Sequence, residues 1–419
     1  MKNIFPYLFS VLFMSTLCFS QSQKELYNQS MEAYKSKNYS QFLTITQKLD
    51  SIRPSHPTFI YNLAAAYALN NRKKEAVSVL EKVVLMNNKM VFEEDADFLS
   101  LQNSEDYKNI LELKLNLEKP IIGSNKILSL SEKDLHPESL LYLSKSKIWL
   151  ASSIRKRKII SFDVKTGKCK DWLTDNGLLS VFAMKADAKE KYLWVTTSSM
   201  PEMEGFSKDL EGKAEVLKID IKAKKIVTRF PLTGNHVLGD LVISKNGDVY
   251  VSDSGEAVIY KITNDKMNLW LDLKKEAFNL QGLTFNENQC KLFIADYLKG
   301  ILVIPMKNPK DRKWLTFPKG ATVKGIDGLV YYKNTLIAVH NGVKPIRLIQ
   351  YNLDEKQDQI KSYTILDNNR PEFDEPALAT VVNDKLYFFS NSPWKAYIKD
   401  FYLEGNQFVN PMLFQYELK

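Results

Sequence analysis

A repeated unit of about 40 residues dominates the chain after residue 123 and limits what the chain can fold into. Its clearest copy is residues 325–351, with the sequence GIDGLVYYKNTLIAVHNGVKPIRLIQY. Neighbouring copies begin at Val237 (VLGDLVISKNGDVYVSDSGEAVIYKI) and at Leu280 (LQGLTFNENQCKLFIADYLKGILVIPM). Each copy contains short runs of β-branched and aromatic residues separated by turn residues, a pattern typical of antiparallel strands. Six such units predict a six-bladed β-propeller over residues 123–419.

The six predicted blades are expected to close into a ring. They begin near the following residues: Pro137, Leu179, Val237, Leu280, Ile326 and Glu375. The second strand of each blade is rich in β-branched and aromatic residues, as in KIWLAS, DVYVSDS and KLYFFSN. The segment from Ser124 to Leu135 precedes the first blade. We expect it to supply a strand to the last blade, because this closure removes exposed sheet edges.

The chain before the propeller has helical periodicity. Within residues 57–89, the small residues Ala64 and Ala76 allow two predicted helices to approach closely. This spacing, with a weaker copy about 34 residues earlier, resembles the tetratricopeptide repeat. We therefore predict a helical module over residues 22–118. The module offers a groove for a peptide or protein partner, or it is a packing domain that fixes orientation, and the sequence leaves both readings open.

Residues 1–20 have the features of a signal peptide. Lys2 supplies a positive charge, residues 4–19 are mostly apolar, and Ser20 is a small residue before a cleavage point. We therefore expect an exported protein, either periplasmic or extracellular. No other apolar run approaches the length of about 20 residues that a membrane-spanning helix needs.

Two cysteines, Cys169 and Cys290, follow the predicted signal peptide and fall in different predicted blades. They could pair in an oxidising compartment, but neither has CxxC spacing or a nearby His, so we do not expect a zinc site. The formal net charge of +9 is spread along the chain, apart from the short basic run at residues 155–158. Without a recognisable nucleic-acid-binding module, that run is interpreted as a solvated hairpin rather than a nucleic-acid site.

Aligning the six copies predicts two columns of residues near one mouth of the propeller channel. The first residues of the innermost strands are Glu138, Ser180, Gly239, Gln281, Asp327 and Pro376. The residues that end the second strands are Ser152, Thr197, Asp253, Asp296, His340 and Ser390. Convergent oxygens at one mouth can hold a hard cation such as Ca²⁺, which takes six to eight oxygen ligands. We therefore predict a metal site formed by Glu138, Gln281 and Asp327.

The amino-acid sequences of these predicted blades resemble those of the senescence-marker-protein/gluconolactonase family. That resemblance implies a divalent metal, usually Ca²⁺, at one end of the channel and hydrolysis of a lactone or related ester. Glu138 matches the family's Glu ligand, and Asp327 in IDGL matches its Asp ligand. Gln281 stands where the family usually has Asn, and Gly239 occupies another Asn position. Asp240 is adjacent, but strand alternation predicts that its side chain points to the opposite face.

If the metal site is intact, Asp327 or His340 is expected to act as the general base. The alternative for His340 is a hydrogen-bonded residue at a strand end. Asp253 and Asp296 are more typical of side chains that cap the following turn. A second hypothesis is a non-catalytic binding protein, in which the propeller and the helical module both present surfaces to a protein or carbohydrate partner. The departures at Gly239 and Gln281 keep this hypothesis open.

Overall fold

The computed structural model describes residues 22–397 and 408–419. The predicted signal peptide, residues 1–20, lies outside these described residues. Among the helices in the described ranges, none has both the length and the apolar character needed to cross a membrane.

The first described part of the chain is helical. Its α-helices are α1 Gln23–Lys35, α2 Tyr39–Ile52, α3 Pro57–Leu69, α4 Lys73–Met86 and α5 Glu105–Glu118. Ser22 and Glu25 form a capping box at the start of α1, and Pro57 occupies the first turn of α3, where no backbone donor is needed. The helices pack in sequence order, and Ala64 and Ala76 are completely buried between α3 and α4. The predicted close approach of two helices at these residues is confirmed.

The rest of the described chain is a six-bladed β-propeller, as predicted. Two short strands, β1 (Ile121–Ile122) and β2 (Asn125–Ser129), precede the first blade. Blade 1 contains β3 Leu140–Leu143, β4 Ile148–Ser153, β5 Lys158–Phe162 and β6 Cys169–Thr174. Blade 2 contains β7 Ser180–Ala186, β8 Tyr192–Ser198, β9 Ala214–Asp220 and β10 Lys225–Leu232. Blade 3 contains β11 Leu238–Ile243, β12 Val249–Asp253, β13 Val258–Thr263 and β14 Lys266–Asp272.

The remaining blades have the same antiparallel order. Blade 4 contains β15 Leu280–Phe285, β16 Lys291–Asp296, β17 Gly300–Pro305 and β18 Lys313–Trp314. Blade 5 contains β19 Ile326–Tyr332, β20 Thr335–His340, β21 Arg347–Leu353 and β22 Ile360–Asn368, with β1 added at its edge. Blade 6 contains β23 Thr380–Val382, β24 Lys385–Phe389 and β25 Met412–Glu417, with β2 as its outer strand. The first strands of neighbouring blades contact one another around the axis.

The ring closes through β2, which pairs antiparallel with β25 from the other end of the chain. This confirms the predicted closure by the segment from Ser124 to Leu135. Local turn chemistry sets the hairpins within the blades. Residues 264–265, 333–334 and 383–384 all have positive φ, the geometry that two-residue hairpin turns require.

The helical module is fixed to blade 5 by buried polar contacts. The backbone amide of Lys344 donates to the carbonyl of Met86 (2.9 Å), and its carbonyl accepts from the amide of Asn88 (2.9 Å). The guanidinium of Arg347, only 1% exposed, donates to the carbonyl of Leu85. Burial lowers the pKa of Arg347 to about 10, so its charge is held in an unfavourable environment that these hydrogen bonds partly offset.

Three of the four residues in the basic run at 155–158 form ion pairs, and Arg157 donates to backbone carbonyls. Lys156 pairs with Asp134 and Glu204, and Lys158 pairs with Glu132 and Asp171. The sequence predicts a solvated hairpin for this run, but its side chains are only partly exposed and are held by these contacts. Both cysteines in the described ranges are free thiols.

Candidate functional site

A β-bulge recurs on the innermost strand of blades 2 to 5 and places one residue of each blade at the channel mouth. In each of these blades, two residues of the inner strand lie opposite one residue of the second strand. Bulges of this kind re-aim side chains and are common next to functional sites. The first residues of the four bulges are Phe182, Gly239, Gln281 and Asp327. All four line one cavity, which we call the mouth cavity.

The mouth cavity has a volume of about 400 Å³. Its acidic and amide lining residues are Glu138, Asp327, Glu375, Asn279, Gln281 and Asn341. Its large apolar and aromatic lining residues are Phe182, Met200, Tyr297 and Trp394. Among the lining residues that the structure describes there is no Lys, Arg or His. The cavity is therefore acidic, and no basic side chain of its wall balances the carboxyl groups.

The structure brings all three predicted metal ligands, Glu138, Gln281 and Asp327, to this one cavity. For two other residues of the predicted inner-strand column, Ser180 and Pro376, the prediction is wrong. Blade 2 contributes Phe182 instead of Ser180, because its bulge follows Val181 and the predicted alignment of this blade is therefore two residues out of register. Blade 6 contributes Glu375 instead of Pro376, so the last blade adds a carboxyl group to the mouth.

Glu138 is 7% exposed, and its Oε2 atom has no hydrogen-bond partner within the described residues. Burial raises the pKa of the Glu138 carboxyl well above its ordinary value. The negative charges of Asp327, Glu375 and Asp240 raise it further, in that order. Because none of the described wall residues is basic, the ionised form of Glu138 is disfavoured unless a ligand supplies a positive charge.

Asp327 is held by a short chain of hydrogen bonds. Its Oδ2 atom accepts from Asn341 Nδ2 (2.5 Å), and Asn341 Oδ1 accepts from the Tyr297 hydroxyl (3.1 Å). Burial raises the pKa of Asp327 to about 6, while the hydrogen bond from Asn341 acts in the opposite direction. The charges of Asp240 and Glu375 add to the increase. Asp327 therefore titrates close to neutral pH, which suits a group that exchanges a proton.

The departures at Gly239 and Gln281 fit one another in space. A Cβ atom placed on Gly239 would lie 3.3 Å from Gln281 Oε1 and 2.9 Å from Ser254 Oγ. The longer Gln281 side chain therefore extends into space beside the position that a side chain at 239 would use. Gln281 Nε2 donates to Asn279 Oδ1 (2.5 Å), and this hydrogen bond fixes the direction of the amide.

Asp240 does not line the mouth cavity but lies buried behind it, as strand alternation predicts. Its carboxylate accepts hydrogen bonds from the backbone amides of Leu241 (2.8 Å) and Leu283 (3.2 Å). It is therefore a structural carboxylate that joins blades 3 and 4. Its charge still acts on the mouth cavity, because it raises the pKa of both Glu138 and Asp327.

The structure does not bring His340 to the mouth cavity. The ring is fully buried in blade 5, with Nδ1 against the Lys324 carbonyl (3.0 Å) and Nε2 against the Tyr351 hydroxyl (2.9 Å). Burial, and then the charge of Arg347, lower the pKa of His340 to about 3, so the ring is neutral. Both nitrogens are already occupied, and the geometry therefore gives His340 a structural role at its strand end.

The predicted capping roles of Asp253 and Asp296 are confirmed. Asp253 accepts from the amides of Val237 (3.2 Å) and Gly255 (2.9 Å) and contacts the ring of His236. Each carboxylate oxygen of Asp296 accepts two backbone amides from the adjoining loops. Neither side chain lines the mouth cavity.

The helical module lies beside the same channel mouth. The sequence of the module did not indicate this position. A cavity of about 300 Å³ between the helices and blade 5 shares Tyr297, Asn341 and Glu375 with the mouth cavity. Another cavity, of about 620 Å³, shares Asn279, Gln281 and Tyr297 with it, and we call this one the side cavity. The side cavity is bounded by Arg53 at the end of α2 and by Lys324 from the propeller.

Sequence reasoning missed Tyr297 and Asn341, although both had a detectable signal. Each directly follows the last residue of a second strand, in ADY and VHN, and so stands at the same mouth as the inner column. Both are polar residues at positions where the chain turns back, where side chains can reach the channel.

No protein-family model matches the sequence, and no curated protein sequence matches it significantly. The fold is similar to the PQQ-bound form of aldose sugar dehydrogenase from Streptomyces coelicolor, with a TM-score of 0.50 and 13% identity over 71% of this chain and 98% of that one. Virginiamycin B lyase from Staphylococcus aureus aligns with a TM-score of 0.45 and 15% identity, covering 66% of this chain and 86% of that one. At these identities the similarity shows the propeller fold alone, so function has to be argued from the mouth cavity.

Proposed function

We propose that the mouth cavity binds Ca²⁺ or another divalent cation and that the protein hydrolyses a lactone or related ester there. The observation that carries this proposal is the buried Glu138 carboxyl, which has an unpartnered oxygen beside Asp327, in a cavity whose described wall holds no basic side chain. Buried carboxylates without a positive partner are unfavourable, and a bound cation would compensate them. The resemblance to the senescence-marker-protein/gluconolactonase family points the same way.

The donor chemistry of the cavity fits a hard divalent cation. Glu138 and Asp327 would supply carboxylate oxygens and Gln281 an amide oxygen, the ligand types that Ca²⁺ prefers. Gly239 offers no side-chain ligand, so water would complete the shell. In the described parts of the chain no group of three or more His, Cys, Asp or Glu side chains is arranged to hold a metal. The proposal therefore depends on the amide of Gln281 together with only two carboxylates.

Different residues of the cavity would have different roles in ester hydrolysis. A divalent cation, when bound, polarises a carbonyl group and makes water more acidic. Asp327 would accept the proton of the attacking water, because its carboxylate faces the same cavity. A bound cation would lower the pKa of Asp327 below the value of about 6 that burial gives it in the metal-free protein. Asn341 and Tyr297 would hold the Asp327 carboxylate in place through their hydrogen bonds. Phe182 and Trp394 would limit access of bulk water.

Metal affinity and lactone hydrolysis test this proposal together. Calorimetric titration of the chelator-treated protein with Ca²⁺ should give one site per chain, and gluconolactone should be hydrolysed faster in its presence. Asp327→Asn and Glu138→Gln should each weaken Ca²⁺ binding at least tenfold, because each removes a charged ligand without changing its size. Asp265→Asn, an exposed acid that pairs with Lys218, is the matched control and should change neither quantity.

Wild-type protein that binds no divalent cation and shows no Asp327-dependent hydrolysis would contradict the proposal. Unchanged Ca²⁺ affinity in both acid variants would also contradict it. The pH dependence gives a further check, because protons compete with the cation for Asp327. Ca²⁺ affinity should therefore fall as the pH drops below about 6.

The alternative is a non-catalytic binding protein for a protein or carbohydrate partner. Two observations favour it: Gly239 removes one ligand position, and only two carboxylates are proposed as metal ligands. The module would then act as a tetratricopeptide-like partner surface next to the channel mouth. Hydrolysis of lactones by the wild type at ordinary enzyme rates would count against this alternative. We also retain export from the cytoplasm as a proposal that rests on residues 1–20.

A further inference from the structure

The side cavity carries a charge opposite to that of the mouth cavity. Its charged lining residues are Arg53, from the helical module, and Lys324, from the loop that leads into β19. No Asp or Glu is present among the described residues that line it. Two basic side chains from separate parts of the fold therefore face one cavity that offers them no acidic partner.

Lys324 is held in place without being neutralised. Its backbone amide donates to Thr322 Oγ1 (3.2 Å), and its carbonyl contacts the His340 ring, so the residue is anchored at both ends of its peptide unit. Its ammonium group lies 4.8 Å from the centre of the Tyr297 ring. Asp296 is the nearby acid, but its oxygens already accept four backbone amides. The ammonium group is thus positioned on the cavity wall with its hydrogen-bond donors available.

Burial, and then the charge of Arg53, lower the pKa of Lys324 to about 8. The two positive charges therefore repel one another across the side cavity. An anion placed between them would relieve the repulsion, and at Lys324 also the loss of hydration, because its oxygens would accept charge-assisted hydrogen bonds. The same reasoning that assigns a cation to the mouth cavity thus assigns an anion to the side cavity.

The two cavities adjoin at Asn279, Gln281 and Tyr297, which line both. A ligand that reaches from one to the other would pass Gln281, one of the proposed metal ligands. We propose that Arg53 and Lys324 form an anion subsite that binds a carboxylate or phosphate group on the substrate whose lactone or ester bond lies in the mouth cavity. This inference rests on the proposed function for its reaction, and it gives the helical module a direct part in substrate recognition.

Direct binding of inorganic phosphate tests the subsite without using the reaction. Titration calorimetry at low ionic strength, on metal-free full-length protein, should give one phosphate site in the wild type. Lys324→Gln and Arg53→Gln should each weaken it about tenfold or more, the effect expected for loss of one charge-assisted hydrogen bond. Lys324→Arg should retain most of the affinity. The matched control is Lys319→Gln, which makes the same charge change at an exposed position in the same loop.

The kinetic test compares three lactones with the same enzyme. Gluconolactone is neutral, glucarolactone carries a carboxylate and phosphogluconolactone carries a phosphate. The wild type should prefer at least one of the charged lactones, and Lys324→Gln should reduce that preference in kcat/KM about tenfold, whereas the control Lys319→Gln should leave it within about twofold. The favoured lactone identifies which anion the subsite takes.

The outcomes separate failure of the subsite from failure of the proposed function. Phosphate binding that is absent in the wild type, or equal in wild type, Lys324→Gln and Arg53→Gln, overturns the anion subsite whatever the activity. Phosphate binding that depends on both residues supports the subsite. If no lactone is hydrolysed in that case, the hydrolase proposal fails while the subsite stands.

Discussion

Replacing Asp327 by Asn is expected to stabilise the metal-free protein at neutral pH, although it should destroy the proposed site. The pKa of this partly buried carboxyl is about 6, against an ordinary value of 3.8. A pKa difference of about 2 corresponds to roughly 3 kcal/mol, at about 1.4 kcal/mol for each pH unit. Asn has nearly the same shape and can still accept the hydrogen bond from Asn341. The free energy of unfolding should therefore rise by up to about 3 kcal/mol at pH 7.

The gain in the free energy of unfolding should increase as the pH rises. Because the pKa is higher in the folded than in the unfolded state, the folded protein binds this proton more tightly. The penalty from Asp327 is therefore absent below about pH 4, grows as the pH rises towards about 6 and stays constant above that. Asp327→Asn should consequently match the wild type near pH 4 and exceed it most above pH 7.

Urea unfolding in the presence of a chelator, at about pH 4 and about pH 7.5, measures this difference. Asp265→Asn is the control, and its exposed position should change the free energy of unfolding by less than about 0.5 kcal/mol. A variant no more stable than the wild type at pH 7.5, or one with the same gain at both pH values, would refute the reasoning. Excess Ca²⁺ should stabilise the wild type and not the variant, because the ligand favours the state that binds it.

Three further predictions concern residues that are not proposed ligands. Gly282→Ala should lower the free energy of unfolding by about 1–3 kcal/mol in urea titrations, because its Cβ would lie 2.6 Å from the Asp327 carbonyl. Arg347→Met should cost about 1–3 kcal/mol by leaving the Leu85 carbonyl without this donor, and hydrogen exchange of α4 should accelerate. His340→Phe removes two buried hydrogen bonds and should lower stability by a similar amount, yet leave Ca²⁺ affinity within about twofold. A tenfold loss of that affinity would show that His340 acts on the site after all.

The blade pattern predicted most of the inner column, and the reason for its errors is local. Ser180 and Phe182 are two residues apart, so strand alternation places both on the same face, and the error is one of register along the strand. The bulge follows Leu238, Leu280 and Ile326 in blades 3 to 5 but Val181 in blade 2, so Phe182 and not Ser180 is the counterpart of the other mouth residues. Sequence alone does not specify where a bulge falls, because it depends on how the inner strand pairs with its neighbour.

In the second column, formed by the residues that end the second strands, the error concerns the direction of a side chain. His340 ends its strand at the predicted register position, paired with Ile326. Its ring nevertheless turns into blade 5, where Tyr351 and the Lys324 carbonyl occupy both nitrogens. A rare residue at a strand end near a channel suggested catalysis, but side-chain direction is decided by which buried polar groups need a partner.

The repeat, the order of its strands and the polar residues at the strand ends were determined by sequence, because periodicity and turn chemistry are local properties of the chain. Glu138, Gln281 and Asp327 were identifiable for that reason. Only the tertiary structure brings these residues together in one acidic cavity. It also places Arg53 and Lys324 on the wall of the side cavity. Both depend on contacts between segments far apart in sequence: the packing of the blades around the axis and the docking of the helices on blade 5. Residue spacing carries no record of such contacts.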